Sequence, residues 1–249
     1  MRTDRVRGVH RWLKDIASEA GYSPDDIYFY ILLLSAPLLL TVHRYFGEAK
    51  NFTAYFPKLN NGSGEVYSYL LEYLSFFILV LVIPLLISTA YNKSTSLVSM
   101  LGFSGLKKNL LWTILALIVL ILPSSYQGST LLSVQAEYPL PGILLQNQHL
   151  LPVYFLGLLF LYYLPWEFFF RGFLLFGLKN RYGTTAAILI QTISSCLVHI
   201  GKPAPEILGS IPFGIVFGII AVRTKNLWIV VLLHAALGIF TDIFLIYQG

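Results

Sequence analysis

The sequence predicts an all-α fold: a polytopic membrane helix bundle with seven to eight transmembrane helices. Three observations lead there. Of the 249 residues, 56% are hydrophobic and only 12% charged, about half the charged share of an ordinary soluble domain, and the mean hydropathy is +0.70. The apolar residues gather into runs of about 17–25, the length that crosses a hydrocarbon core at about 1.5 Å per residue. The basic residues divide unevenly between the two sets of connecting segments. With the N-terminus in the cytoplasm, the inner segments hold Arg2, Arg5, Arg7, Arg11, Lys14, Lys93, Lys107, Lys108, Lys179, Arg181, Arg223 and Lys225. The outer segments hold only Arg44, Lys50, Lys58 and Lys202. That asymmetry is the positive-inside rule, so the net charge of +5 sets topology and carries no nucleic-acid signal.

Residues 1–26 are polar, of mixed charge and without the apolar core of a secretory signal. They read as a cytoplasmic N-terminal segment in which Val9, Trp12, Leu13 and Ile16 share one face, suited to a membrane surface. The spans follow at 27–43, 67–90, 109–124, 151–178, 184–200, 206–222 and 226–246. Residues 44–66, Gly- and Asn-rich, read as an exposed extracytoplasmic connection. Asn51 and Asn61 there open the Asn-X-Ser/Thr glycosylation pattern. Between the second and third spans, Met100–Phe103 and Leu106–Lys108 suggest a short interfacial helix with snorkelling lysines. Residues 129–147 carry Glu137, Pro139 and Pro141 and read as a loop or re-entrant piece. The single cysteine, Cys196, excludes an intrachain disulfide.

Spans one to three, within a scaffold region 27–148, contain almost no ionisable group beyond Glu72. The unusual residues all lie later. Glu167 and Arg171 stand four apart on one helix face, deep in the fourth span, where an ionisable group costs about 2.5–3.5 kcal/mol on insertion scales. They form either an ion pair that orients helices or a general base, or metal ligand, held by its guanidinium. Pro165, just before them, is placed to kink the helix. His199 ends the fifth span ahead of Gly201-Lys202-Pro203, a position open to a capping role. His234 lies eight residues into the seventh span, where an imidazole needs a partner. Glu206 opens the sixth span, either as an acidic first-turn residue or as a second carboxylate beside His199. Asp242 is about 12 Å from His234 along the helix, too far to share an ion with it, and is expected to pair with a charge nearer the outer surface. Ser210, Gly214 and Gly218, at intervals of four, suit close helix packing. Two histidines and a carboxylate on separate spans match either a two-His-one-Glu zinc site, with His199, His234 and Glu167 as ligands, or a metal-free Glu/His arrangement that activates water.

The run Glu167-Phe168-Phe169-Phe170-Arg171-Gly172, followed by His199 and then by His234-Ala235, resembles the CPBP family of intramembrane proteases, which includes the type II CAAX prenyl endopeptidases and bacteriocin-immunity relatives. The resemblance covers residues 150–245, and it makes 149–249 a CPBP-like catalytic-type core. The family pattern is two adjacent glutamates, three residues and an arginine, then a histidine, then a second histidine followed four residues on by asparagine or a similar residue. Here Trp166 stands in place of the first glutamate and Gly238 in place of the asparagine, and Ser195 replaces the phenylalanine usual four residues before the first histidine.

The resemblance implies a multi-pass membrane endopeptidase acting on a membrane-associated peptide or protein within the lipid bilayer. Glu167, Glu206 or both would activate water. His199 and His234 would bind zinc or polarise the scissile carbonyl, and Arg171 would orient Glu167. Two other classes stand beside it: a catalytically silent scaffold or immunity-type protein, and a small transporter. A transporter predicts paired broken helices in related halves of the chain, which the sequence does not show.

Overall fold

The computed structural model describes residue 12 and residues 15–248. Val9 and Leu13, half of the expected N-terminal amphipathic face, lie outside the described residues. The described residues are mostly helical, with no strand among them. Six helices are long and apolar enough to cross a membrane: α1 (Pro24–Tyr55), α2 (Ser63–Ala90), α3 (Leu110–Ser129), α4 (Gln148–Tyr182), α6 (Ala204–Thr224) and α7 (Leu227–Gln248). A shorter apolar helix, α5 (Thr184–Val198), completes the bundle. Leu34, Leu38, Leu86, Trp112, Val119 and Leu208 all point outward and are exposed. A soluble protein seldom presents such a coat, and the chain is an integral, multi-pass membrane protein.

α4 is the central helix. In its apolar window 56% of residues are buried, against 17–39% for the other five long helices. Its run from Trp166 to Leu175 packs into the main core with Leu32, Phe76, Val80, Phe217 and Leu233. α5 and α7 both pack on this segment, α2 lies along its first half, and α3 pairs with α7. Of the five widened π-helical stretches among the described residues, those at Ile78–Val82, Leu117–Ile121 and Leu158–Tyr163 are each followed within two residues by a proline, Pro84, Pro123 and Pro165, and one at His43–Gly47 is not. Proline removes an N–H donor and crowds the carbonyl four residues earlier. The helix accommodates it by widening the preceding turn, so the expected disturbance at Pro165 takes that form. A further π-helical stretch, Phe168–Phe176, carries Arg171.

Two parts of the sequence reading change. The connection 44–66 is largely helical. α1 breaks only at Glu48, whose backbone is extended, and restarts over Ala49–Tyr55. The Glu72 carboxylate accepts the Ala49 N–H at 2.8 Å, a cap donated by a distant helix. The interfacial segment is two short helices, Ser94–Ser99 and Phe103–Lys108, rather than one. The turn between them is docked on α7: the Leu227 N–H donates to the Met100 carbonyl at 2.9 Å, and Trp228 Nε1 donates to the Leu101 carbonyl at 2.7 Å.

Two of the three small residues of α6, Gly214 and Gly218, serve the packing expected of them, while Ser210 bonds back to the Ile207 carbonyl and lines the cavity described below. A Cβ on Gly214 would meet Thr192 at 2.8 Å and one on Gly218 would meet Ile188 at 3.2 Å. Gln191 Nε2 donates across this contact to the Gly214 carbonyl at 2.9 Å. Residues 130–147 do not cross the bundle. They form the short helix Leu132–Gln135 and an irregular connection tied down at three points. Glu65 accepts the N–H groups of Gly142 and Ile143 at 2.9 and 3.0 Å, Lys202 Nζ donates to Glu137 at 2.8 Å, and Tyr138 reaches Glu206.

Candidate active site

A cavity of about 270 Å³ opens between α4, α5, α6 and α7 under the 130–147 connection. Trp166, Arg171, His199, Glu206 and His234 all line it, together with Tyr138, Tyr163 and Phe217. Trp166 stands against both His199 and His234. Its indole meets the two imidazoles edge-on, with centroids 5.2 Å from His199 and 5.8 Å from His234. The residue standing where the family pattern has a glutamate is thus the surface against which both histidines rest.

The inner end of the site is a sealed relay. Glu167 has none of its side chain exposed and its Oε1 accepts two hydrogen bonds, from Arg171 Nη1 at 3.1 Å and from His234 Nδ1 at 2.6 Å. A carboxylate receiving a guanidinium and an imidazole N–H in a dry interior is charge-assisted on both sides. The bond to Glu167 places the His234 proton on Nδ1 and leaves Nε2 as the free nitrogen. The ring is held between Tyr163, at 4.7 Å, and Phe217, at 5.7 Å, and the Arg171 guanidinium lies over the same Phe217 at 5.7 Å. Glu167 therefore orients His234 and does not itself border the cavity.

The outer end is open. His199 Nδ1 lies 2.8 Å from the Ser195 carbonyl oxygen. A carbonyl can only accept, so the proton sits on Nδ1 and the Nε2 lone pair is free. Nε2 lies 3.9 Å from Glu206 Oε1, and 28% of the Glu206 side chain is exposed. That separation is too long for a direct hydrogen bond and leaves room for a bridging water. Glu206 Oε2 is engaged by the Tyr138 hydroxyl at 2.8 Å. Burial, with the Glu206 carboxylate beside it, holds the Tyr138 phenol well above its ordinary range, so Tyr138 is a donor at neutral pH. Lys202 sits over the Tyr138 ring at 5.2 Å.

The residues do not form a metal cage as arranged. Glu167 spends Oε1 on Arg171 and His234, and its Oε2 is sealed without a partner. Among the described residues no group of three or more His, Cys, Asp or Glu side chains is placed to hold a metal ion. Of the three residues expected to bind zinc, only His199 and His234 turn a free nitrogen toward the cavity.

Asp242 differs from its expectation. Rather than pairing with an outer charge, it is buried beside the Tyr154 hydroxyl and lines the far end of the same cavity. Sequence reading missed Tyr138 and Tyr163. Tyr163 had a signal, since it precedes Glu167 by one helical turn. Tyr138 had none, because it meets Glu206 only through the folded connection.

Fold and site together define a polytopic membrane helix bundle with a Glu/Arg/His relay and a second Glu/His pair around one internal cavity. Residues 147–240 match the family model described as type II CAAX prenyl endopeptidase Rce1-like, a stretch that holds Glu167, Arg171, His199, Glu206 and His234. No curated protein and no solved structure matches the chain.

Proposed function

We propose that the protein is an intramembrane endopeptidase in which Glu206 and His199 activate the attacking water. The observation that carries this reading is the pair of unprotonated acceptors, Glu206 Oε1 and His199 Nε2, facing each other 3.9 Å apart on the cavity wall. A water between them donates one proton to each and keeps a lone pair free for attack, the arrangement general-base catalysis requires. Its oxygen adds to the scissile carbonyl carbon, its proton passes to the Glu206/His199 pair, and the same pair returns that proton to the leaving nitrogen as the C–N bond breaks. His234, held in one orientation by Glu167 and Arg171, faces the substrate with Nε2. The tryptophan at 166 is consistent with this division of labour, because the carboxylate beside His199 is supplied by α6.

The substrate is a membrane-associated peptide or protein segment that enters beneath the 130–147 connection. The family description suggests prenylated C-terminal peptides as its first test. The asymmetry of basic residues supports a cytoplasmic N-terminus, with the 130–147 connection on the opposite side. The measurement is cleavage of a quenched fluorescent peptide by the purified protein in liposomes, farnesylated and unmodified, with and without a chelator. Cleavage that survives Glu206→Gln at the parent rate removes Glu206 from the mechanism, and loss of cleavage with chelator restores a metal to it. A non-catalytic scaffold is the competing reading, favoured by Trp166 at the family's first glutamate position. It expects no cleavage of either peptide.

A further inference from the structure

Tyr163 is a buried phenol in the cavity wall that the mechanism above leaves unused. It is only 9% exposed. Its hydroxyl has no hydrogen-bond partner among the described residues, although the residue lines the cavity between His234 and Gly238. The hydroxyl is left open to the cavity, where a ligand atom able to accept its proton would satisfy it. The ring is fixed against the His234 imidazole at 4.7 Å, one helical turn before Glu167, so the hydroxyl is held by the same elements that hold the relay.

Gly238 gives this hydroxyl its room. A Cβ built on residue 238 would overlap the Tyr163 Oη outright and would lie 2.9 Å from Cζ. No side chain can therefore occupy position 238 while Tyr163 keeps this rotamer. Position 238, one turn after His234, is where the resembling family carries an asparagine, a side chain with an N–H donor. In this chain the space at that point is filled from α4 by an O–H donor.

We infer that Tyr163 is a further catalytic residue, whose O–H donates a hydrogen bond to the carbonyl oxygen of the scissile bond. This rests on the hydrolytic reading above. As water adds to the carbonyl carbon, the C=O electron pair moves onto that oxygen, and the phenol, which keeps its own proton throughout, stabilises the resulting charge. When the intermediate collapses the electron pair returns, the C–N bond breaks, and the leaving nitrogen takes its proton from the Glu206/His199 pair. A preformed donor in a water-poor site is the kind of group whose removal costs about 10²–10³-fold in kcat.

The test is cleavage of the farnesylated peptide by the full-length protein in liposomes, with kcat and KM measured separately. Tyr163→Phe deletes only the hydroxyl, and is expected to lower kcat by about 10²–10³-fold while KM stays within about threefold. Gly238→Ala, which pushes the hydroxyl away without removing it, is expected to act in the same direction. Replacing both residues, Tyr163→Leu with Gly238→Asn, clears the space and supplies an amide donor from α7. It is expected to recover at least tenfold in kcat over Tyr163→Leu alone, a rescue that a purely packing role for Tyr163 does not give. Parent-like kcat in folded Tyr163→Phe overturns the role of Tyr163 and leaves the Glu206/His199 mechanism standing. If Tyr163→Phe does not fold, the kcat of Gly238→Ala and the double variant decide instead, and absence of rescue overturns the proposal. A parent protein that cleaves neither peptide overturns the hydrolytic reading and the Tyr163 role together.

Discussion

Glu167 and Glu206 serve one cavity and are held in opposite ways. Glu167 is fully sealed in α4, with its Oε1 shared between Arg171 and His234. Glu206 stands at the start of α6, partly open, with one oxygen engaged by Tyr138 and the other facing His199 across a gap. The difference separates two jobs. A carboxylate that is buried, paired and dry can fix the tautomer and direction of an imidazole, but it cannot meet a water molecule. A carboxylate at the mouth can, provided something holds it in place. The inner end is accordingly expected to govern stability, and the outer end reactivity.

The largest effect should come from breaking the inner end. Glu167→Ala leaves Arg171 and His234 buried without their acceptor, and removing one partner of a buried pair costs about 3–5 kcal/mol. Denaturant or thermal unfolding in detergent should show that loss in the absence of any substrate. Next comes Glu206→Gln, which keeps the shape and removes the base proposed above. Cleavage should fall about 10²–10⁴-fold with the unfolding transition nearly unchanged. The same unfolding loss for both variants would dissolve the contrast between the two ends.

Tyr138→Phe sharpens the comparison further. It removes one hydrogen bond from Glu206, worth about 0.5–1.5 kcal/mol, and should lower cleavage about tenfold by freeing the carboxylate to rotate. Because burial raises the Tyr138 pKa, the phenol keeps its proton at neutral pH and loses it only above the ordinary phenol range. Parent and Tyr138→Phe should therefore show the same dependence of cleavage on pH between about 6 and 9, a range well below the ordinary phenol pKa of about 10. The smallest effect is expected for Lys202→Ala. Lys202 and Glu137 are each partly exposed, at 28% and 37% of the side chain, and pairs of that kind contribute about 0–1 kcal/mol. Its unfolding transition should move little, while easier release of the 130–147 connection would appear as faster hydrogen exchange there.

Much of this was legible in the chain. The all-helical membrane class followed from run length and charge alone, since a bilayer admits few ways to satisfy backbone groups. Residues 129–147 read correctly as a non-spanning piece because two prolines and a carboxylate forbid a clean span. Glu167, Arg171, His199, Glu206 and His234 stood out in the sequence as ionisable groups where they are costly. Their division into a relay and a second pair was not, because periodicity places residues on helix faces and says nothing of which face meets which. Tyr138 escaped for the same reason: 68 residues separate it from Glu206.

The sequence by itself determined the class, the apolar segments (seven spans read where six long helices and one shorter apolar helix form), and the few ionisable residues set where burial is costly, because apolar length and the cost of burying charge are properties of local composition. Only the tertiary structure decided that Glu167 serves His234 from behind, that Glu206 and His199 face the cavity, and that the Tyr163 hydroxyl fills the space left by Gly238. Those facts depend on how α4, α6 and α7 are rotated against one another, and that rotation is set by the packing of Trp166, Phe217 and the glycines between them.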